Sequence, residues 1–245
     1  MSEDPGRATM NARFAIAVES ELTVADLFAA LGAAFREPSP ALLERLEAIA
    51  ARANLFPEPF RDDVRALWRE AEAAGLTTLR EAHAERFGHI PQSDAAPYET
   101  LYGPGEVFQQ TAVLSDIAGF YGAFGVSVAD ERIERLDHIA LELEFVGLLL
   151  HRTTCAPNDE TCDIALAASR SFLTDHLGRW APLFFRGLQT GGGFYAVAAA
   201  LGERLLAWEC ERVGVTPVLV PDWPSGPPRL GELEGCATDS EEEGA

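Results

Sequence analysis

The sequence has few cysteines and only half as many basic as acidic residues, and each shortage excludes a class of protein. Its four cysteines form no CxxC pair and have no metal-ligand spacing with histidine. They are Cys155, Cys162, Cys210 and Cys236. Disulfide frameworks belong mostly to shorter secreted chains. We therefore expect no metal site, no disulfide and a reducing compartment.

The shortage of positive charge gives the chain a formal net charge of −20. Such a surface repels phosphate backbones and anionic lipid headgroups, so nucleic acid and membrane surfaces are poor partners. A basic peptide would be attracted, mainly through a faster association rate. Alternatively, the acidity only keeps the protein soluble, and the composition leaves both roles open.

Long apolar runs are also missing. The longest, Ile139 to Leu150, is interrupted by Glu142 and Glu144 and is too short to span a bilayer. The N-terminus has charged residues and no apolar core of a signal peptide. We expect no stable membrane insertion and a cytoplasmic location.

Alanine, leucine, glutamate and arginine dominate the chain, and this composition favours helices over strands. Capping residues, prolines and glycines divide it into segments with helical periodicity. The first predicted helix starts at Thr23. The next four run from Pro40 to about Arg52, from Phe60 to Gly75, from Thr78 to Phe87 and from about Val107 to Phe124. Another runs from about Glu131 to His151, and two or three more lie between Cys162 and Val213.

We therefore predict an all-α fold, a single-domain bundle of about nine to ten helices over residues 21–216. Residues 1–20 are predicted as a flexible arm, since they lack clear periodicity. Residues 217–245 are rich in proline, glycine and acidic residues, and are predicted as a disordered tail.

The first informative segment is PYETLYG, Pro97 to Gly103, inside a long irregular stretch. Long loops in compact helical domains are often functional. Tyr98 and Tyr102 flank Glu99, and tyrosine suits a groove that recognises a peptide. Alternatively, the two rings pin the loop against the core and Glu99 caps the next helix. The residues alone leave both readings open.

The second segment is DHIALELEFVGLL, Asp137 to Leu149. On a helix, His138 and Glu142 lie one turn apart and can share a proton or a hydrogen bond. This helix is apolar nearly all round, with Phe145 in one of its apolar rows, so we place it in the middle of the bundle. Its carboxylates need partners, or they face a groove that a basic ligand fills. Asp137 either faces that groove or caps the start of the helix.

PYETLYG followed by DHIALELEF resembles the TorD/DmsD/NarJ family of molybdoenzyme chaperones. The resemblance extends over about Leu27 to Trp208 and is strongest to the branch that serves relatives of dimethyl-sulfoxide reductase. It implies a chaperone without catalysis or cofactor of its own. Its partners would be the apo catalytic subunit of a molybdenum oxidoreductase and that subunit's basic twin-arginine leader peptide, held until the cofactor is inserted.

The resemblance also implies which residues line or support the peptide groove. Carboxylates would take the charge contacts, and aromatic rings would give the apolar contacts. The candidates are Tyr98, Glu99, Tyr102, Asp137, His138, Glu142 and Phe145. The chain is expected to be a monomer or a homodimer.

Two other functions stay open. One is a helical docking protein for a leaderless oxidoreductase subunit, without signal-peptide binding. The other is a small hydrolase using His138 and Glu142 as an acid–base pair, or a metal site at His83 with Glu85 or His89. The sequence contains no HExxH motif, phosphate loop or nucleophile motif to support the enzyme reading.

Overall fold

The computed structural model describes residues 5–88, 95–103, 107–127 and 135–220, and within these ranges it contains eight α-helices and no strand. The helices are α1 (Pro5–Ala34), α2 (Pro40–Ala51), α3 (Glu58–Phe87), α4 (Val107–Ala123), α5 (Ile139–Thr154), α6 (Asp159–Asp175), α7 (Leu177–Gln189) and α8 (Gly193–Val213). Short 3₁₀ turns occur at Ala53–Leu55 and Glu99–Leu101. The all-α prediction is confirmed.

Helix α5 lies in the centre of the bundle, as its apolar pattern predicts. Its main neighbours are α1 and α6, and most of its side chains are buried. Even the carboxylate of Glu142 is fully buried there. The two helices α1 and α5 approach closely because each has a glycine at the contact. A Cβ added to Gly32 would lie 2.7 Å from the Ala140 carbonyl, and one added to Gly147 would lie 3.0 Å from the Ala25 carbonyl.

The helix count is lower than predicted in part because α3 combines two predicted helices that meet at a kink. Helix α3 includes both the segment from Phe60 to Gly75 and the segment from Thr78 to Phe87. Gly75 interrupts the helical backbone with φ 69° and ψ 165°, a conformation that glycine adopts without a steric penalty. The predicted break is therefore a kink, and the helix resumes directly after it.

Two predicted helix starts are wrong. Helix α1 begins at Pro5, so Thr23 lies inside it and is buried. No glycine or proline lies between Gly6 and Thr23, so nothing in this segment opposes continuation of the helix. Helix α5 begins at Ile139, because residues 135–138 take other conformations and pair with another part of the chain.

The remaining helix boundaries agree well with the local signals. Pro40 is the first residue of α2, α4 covers the predicted segment, and three helices fill the region after residue 158. None of the helices within the described ranges has the length and apolarity needed to cross a membrane. Residues 221–245, most of the predicted tail, lie outside the described residues, so the division into arm, domain and tail stays a prediction.

Candidate functional site

The two segments that carry the sequence motifs are joined to each other by backbone hydrogen bonds. Tyr98 and His138 form an isolated antiparallel bridge. The Glu99 amide donates to the Asp137 carbonyl at 3.0 Å, and the Ile139 amide donates to the Pro97 carbonyl at 2.8 Å. The long loop is therefore attached to the start of the central helix α5.

Asp137 is fully buried and stabilises the loop rather than its own helix. Its Oδ2 accepts hydrogen bonds from the Thr100 amide at 3.1 Å and from the Thr100 hydroxyl at 2.7 Å. Arg135 donates to both carboxylate oxygens, at 3.1 and 3.0 Å. Of the two alternatives for Asp137, the cap of α5 is wrong, because its carboxylate accepts hydrogen bonds from the 3₁₀ turn Glu99–Leu101 instead.

His138 takes the capping position that was predicted for Asp137. Its Nδ1 accepts a hydrogen bond from the Ala140 amide at 3.1 Å, so it is the N-cap of α5. The Tyr98 ring packs edge-on against the His138 ring with centroids 5.1 Å apart, and the Arg135 guanidinium lies 4.8 Å from the Tyr98 ring centre. The half-buried Tyr98 thus packs where the two segments meet.

Glu142 is a buried carboxyl group next to other carboxylates. Its Oε2 accepts a hydrogen bond from the Trp180 indole at 3.0 Å. Burial raises the pKa of Glu142 well above its usual range, and the nearby charges of Glu99 and Asp137 raise it further. Glu142 therefore keeps its proton to a higher pH than an exposed carboxyl group does.

Glu99 is paired with a histidine from a distant part of the chain. The Nδ1 atom of the buried His176 lies 3.2 and 3.1 Å from the two Glu99 oxygens, and its Nε2 lies 3.1 Å from Asp116 Oδ2 on α4. Although burial lowers the pKa of His176, hydrogen bonds to and charges on Glu99 and Asp116 outweigh it and raise the pKa above the usual value. A protonated imidazole donates through both nitrogens, so His176 connects α4 to the loop.

The other two predicted residues belong to the aromatic core. Tyr102 packs on Trp180 with ring centroids 5.1 Å apart. Phe145 is 3% exposed and lies 4.9 Å from the ring of Tyr121 and 4.8 Å from that of Phe172. Both side chains fill space between helices, which is the commonest role of such residues.

The structure brings the predicted site residues together, but it places them beneath the surface. Tyr98 is half-buried and the other six are buried. Their geometry fits support of a binding surface better than direct contact with a peptide, so their contact roles stay predictions. Sequence reasoning missed Asp116 and His176, and no local spacing could have revealed the contact between His176 and Glu99, which are 77 positions apart.

A cavity of about 290 Å³ lies directly beside this buried cluster. Four parts of the chain line it, namely the loop after Tyr98, the first half of α4, the start of α7 and the segment after α8. The lining residues are Glu99, Thr100, Gly103, Gln109, Gln110, Val113, Arg179, Trp180 and Val220. Of the seven predicted groove residues, Glu99 alone is among the residues that line this cavity.

Several exposed apolar side chains are neighbours of cavity residues in the sequence. Six large apolar side chains are exposed among the described residues, and four of them precede cavity residues in the chain. Val107 and Phe108 are 74% and 90% exposed at the start of α4. Val218 and Leu219, 78% and 43% exposed, precede Val220. Clustered exposed apolar groups mark interaction surfaces, whereas single ones need no explanation.

The described residues give little support to the enzyme reading. Glu142 directs an oxygen at Trp180, while His138 uses Nδ1 for the helix cap. His83 packs edge-on against Phe87 with centroids 5.0 Å apart, and His89 lies outside the described residues. Across the described ranges, no cluster of three histidine, cysteine or acidic side chains could hold a metal ion.

Comparison with known proteins finds one matching family and several relatives whose names describe chaperones. The model of the nitrate reductase delta subunit family matches residues 29–186, which include both motif segments and His176. The chain is 27% identical to chaperone protein TorD of Photobacterium profundum, over 47% of this chain and 54% of that protein. It is 32% identical to the selenate reductase assembly chaperone protein of Thauera selenatis, over 50% of this chain and 58% of that protein.

A longer match is found to the chlorate reductase assembly chaperone protein of Ideonella dechloratans. The identity is 29%, and the match covers 68% of this chain and 88% of that protein. The matches to the first two relatives span little more than half of their length. What these proteins assemble is therefore a basis for a proposal about this chain.

The fold itself has a counterpart among solved structures. A crystal structure of a proposed redox enzyme maturation protein from Archaeoglobus fulgidus superimposes with a TM-score of 0.50, over 76% of this chain and 93% of that one. The sequence identity is 17%, so this likeness concerns the fold alone. Since the family model matches more than half of the sequence, including both motifs, the chain belongs to the nitrate reductase delta subunit family, the NarJ/TorD group of redox enzyme maturation chaperones.

Proposed function

We propose that this protein is a system-specific assembly chaperone for a molybdenum-containing oxidoreductase. It binds the apo catalytic subunit in the cytoplasm, together with that subunit's basic leader peptide. It holds the subunit until the molybdenum cofactor is inserted, and so delays export. Its own contribution is reversible binding, without catalysis.

The observation that carries this proposal is the family match over residues 29–186. The relatives named above include assembly chaperones of selenate and chlorate reductases. By analogy, the partner of this chain is the catalytic subunit of such an oxidoreductase.

Two physical features support binding of a basic and apolar peptide. The net charge of −20 attracts basic residues over a long range and raises the association rate. The exposed apolar groups at the start of α4, Val107 and Phe108, then supply short-range contact to an apolar segment.

The test is a pull-down of the tagged full chain from its native cytoplasm, with the client identified and its molybdenum content measured. The proposal expects a molybdoenzyme catalytic subunit that is largely free of metal. Deleting the leader from that subunit should weaken its recovery. Full recovery without the leader would favour the docking function, in which only the mature subunit is bound.

A matched pair of surface variants tests whether the α4 region takes part. Phe108 is 90% exposed and Ile164 on α6 is 56% exposed, so neither substitution disturbs the core. Phe108→Ser should reduce recovery of the subunit, whereas Ile164→Ser should leave it unchanged. Equal recovery with both variants would remove the α4 region from the proposal.

A further inference from the structure

A chain of hydrogen-bonded groups runs from the core of the bundle to its surface, and it begins at Glu142. This buried carboxyl group accepts from the Trp180 indole through Oε2, while none of the described N–H and O–H groups donates to its Oε1. The side chain of Glu99 lies against Glu142 and forms a hydrogen bond with it. Two carboxyl groups can form such a bond only when one of them carries a proton, so Glu142 and Glu99 share one proton.

His176 continues this chain to the surface. Its Nδ1 lies 3.1 Å from Glu99 Oε2, and its Nε2 lies 3.1 Å from Asp116 Oδ2 on α4. A carboxylate only accepts, so both contacts are hydrogen bonds only when both ring nitrogens carry a hydrogen. Burial disfavours this charged imidazole, but the two carboxylates outweigh burial and raise the pKa of His176.

Loss of the imidazole proton breaks one particular contact. A neutral imidazole keeps a single N–H. The buried Glu99 has no water to replace that donor, whereas the Asp116 side chain is 64% exposed and can turn to water. The remaining hydrogen therefore stays on Nδ1, and the bare Nε2 faces Asp116 with one lone pair against another.

The other ionisable groups on the elements around His176 have partners of their own or are exposed. They are Asp137, which pairs with Arg135, Tyr121, which donates to the Leu136 carbonyl, Arg179, which donates to the Val218 carbonyl, and the exposed Asp175. The two carboxylates in contact with the ring therefore decide which nitrogen keeps its hydrogen.

Asp116 lies where the well-packed half of α4 meets its exposed half. Ile117 and Tyr121 are buried in the second half. In the first half, no side chain from residue 107 to residue 115 is buried. The contact between Asp116 and His176 thus lies at the boundary, where it can restrain the exposed half.

We propose that His176 is a protonation-dependent latch for helix α4. The protonated imidazole bonds to Glu99 and Asp116 together and holds the first half of α4 beside the 3₁₀ turn Glu99–Leu101. When the proton leaves, Asp116 turns to solvent, and the first half of α4 becomes free to move with the exposed apolar side chains that it carries. The pair of Glu142 and Glu99 is the fixed end of the latch, since it keeps the remaining hydrogen on Nδ1.

Hydrogen–deuterium exchange of the full chain at pH 6 and pH 9 tests the latch. The rates are measured by mass spectrometry and corrected for the intrinsic effect of pH, and helix α6 is the internal reference. Relative to α6, protection of the amides of residues 111–116 should fall about two- to fivefold from pH 6 to pH 9. Fivefold corresponds to about 1 kcal/mol, the upper range for a contact to an exposed carboxylate. Local opening of this kind is what amide exchange detects.

Asp116→Asn is the diagnostic variant. An asparagine amide donates to a bare Nε2, and its oxygen accepts from a protonated one, so the contact exists in both states of the imidazole. The fall in protection of residues 111–116 should therefore disappear. The matched control is Asp63→Asn, because Asp63 accepts at 2.9 Å from Arg204, which stays charged at both pH values. This control should keep the full pH dependence in α4.

Nitrogen-15 NMR of the His176 imidazole decides which hydrogen remains. At pH 9 we expect a hydrogen on Nδ1 and a bare Nε2. The opposite tautomer would move the broken contact to Glu99 and overturn the proposal, as would an imidazole that is still protonated at pH 9. Equal protection of residues 111–116 at both pH values, or a fall that Asp116→Asn leaves unchanged, would also overturn it.

Discussion

Helices α4 and α5 have similar apolar compositions and opposite surroundings. In α5 most side chains are buried on all sides, including the polar Glu142. In α4 only Ile117 and Tyr121 are buried, and the apolar Phe108 is 90% exposed. Hydrophobicity of a segment therefore does not decide its burial in this protein.

The two helices are also attached to the fold in different ways. Helix α5 is held by close packing against α1, where glycines permit backbone contact. Helix α4 is held by a few aromatic residues and by the hydrogen bond between Asp116 and His176. From this contrast we expect α5 to supply stability and α4 to supply a binding surface, a division that three pairs of variants can test.

The largest effect is expected from truncating a phenylalanine in each helix. Phe145→Ala on α5 removes a ring packed against four others and should destabilise the protein by about 3–5 kcal/mol. Phe108→Ala on α4 removes an exposed ring and should change stability by less than about 0.5 kcal/mol. Urea unfolding followed by circular dichroism measures both. Similar losses in the two variants would show that α4 is as essential to the core as α5.

Glycine-to-alanine substitutions should have opposite signs in the two helices. A Cβ at Gly147 on α5 would lie 2.9 Å from the Phe28 Cβ, so Gly147→Ala forces α1 away and should cost about 1–3 kcal/mol. A Cβ at Gly119 on α4 meets nothing, so Gly119→Ala should add up to about 1 kcal/mol of helix propensity. The free energies of unfolding of the two variants test this, and a stabilising Gly147→Ala would contradict the close packing.

The contrast also explains how much the sequence could predict. Local signals located the helices well, as at Pro40, because capping and turn residues act within a few positions. The start of α5 was misplaced because residues before Ile139 pair with the distant segment at Pro97. Non-local pairing leaves no periodic trace in the sequence, so neither the pairing nor its effect on the helix start could be foreseen.

Prediction of the candidate site is limited in the same way, by contacts between segments that are distant in the sequence. The motifs single out two segments, and the structure joins them by a backbone bridge. The requirement of each buried carboxylate for a partner was also foreseen, since unpaired buried charge is costly. The partners themselves, Thr100 for Asp137 and His176 for Glu99, come from other segments. The exposure of side chains is harder still to predict, because the same apolar pattern occurs in a core helix and on a docking surface.

The third comparison concerns the buried acid of α5. The pKa of Glu142 is raised in the folded protein, so its contribution to stability is complete below the unfolded value of about 4.5 and is lost as pH rises toward the folded value. Glu142→Gln keeps the shape and stays neutral. Its stability relative to wild type should therefore rise with pH, by at most about 1.4 kcal/mol per pH unit. Urea unfolding from pH 5 to pH 8 measures this, and a constant difference would indicate that Glu142 is ionised in the fold.

The smallest effect is expected from the exposed acid of α4. The raised pKa of His176 means that its pairing stabilises the fold fully below about pH 6.5, and the contribution disappears as pH rises through the folded value. Asp116→Asn weakens this pairing, and since the Asp116 side chain is 64% exposed, we expect a loss of about 1 kcal/mol or less at pH 6. The loss should be smaller at pH 9, because the imidazole gives up its proton as pH rises. Asp26→Asn is the control, since its partner Arg52 stays charged and its small effect should be equal at both pH values. A loss from Asp116→Asn that did not change with pH would mean that the contact between Asp116 and His176 does not depend on a protonated imidazole.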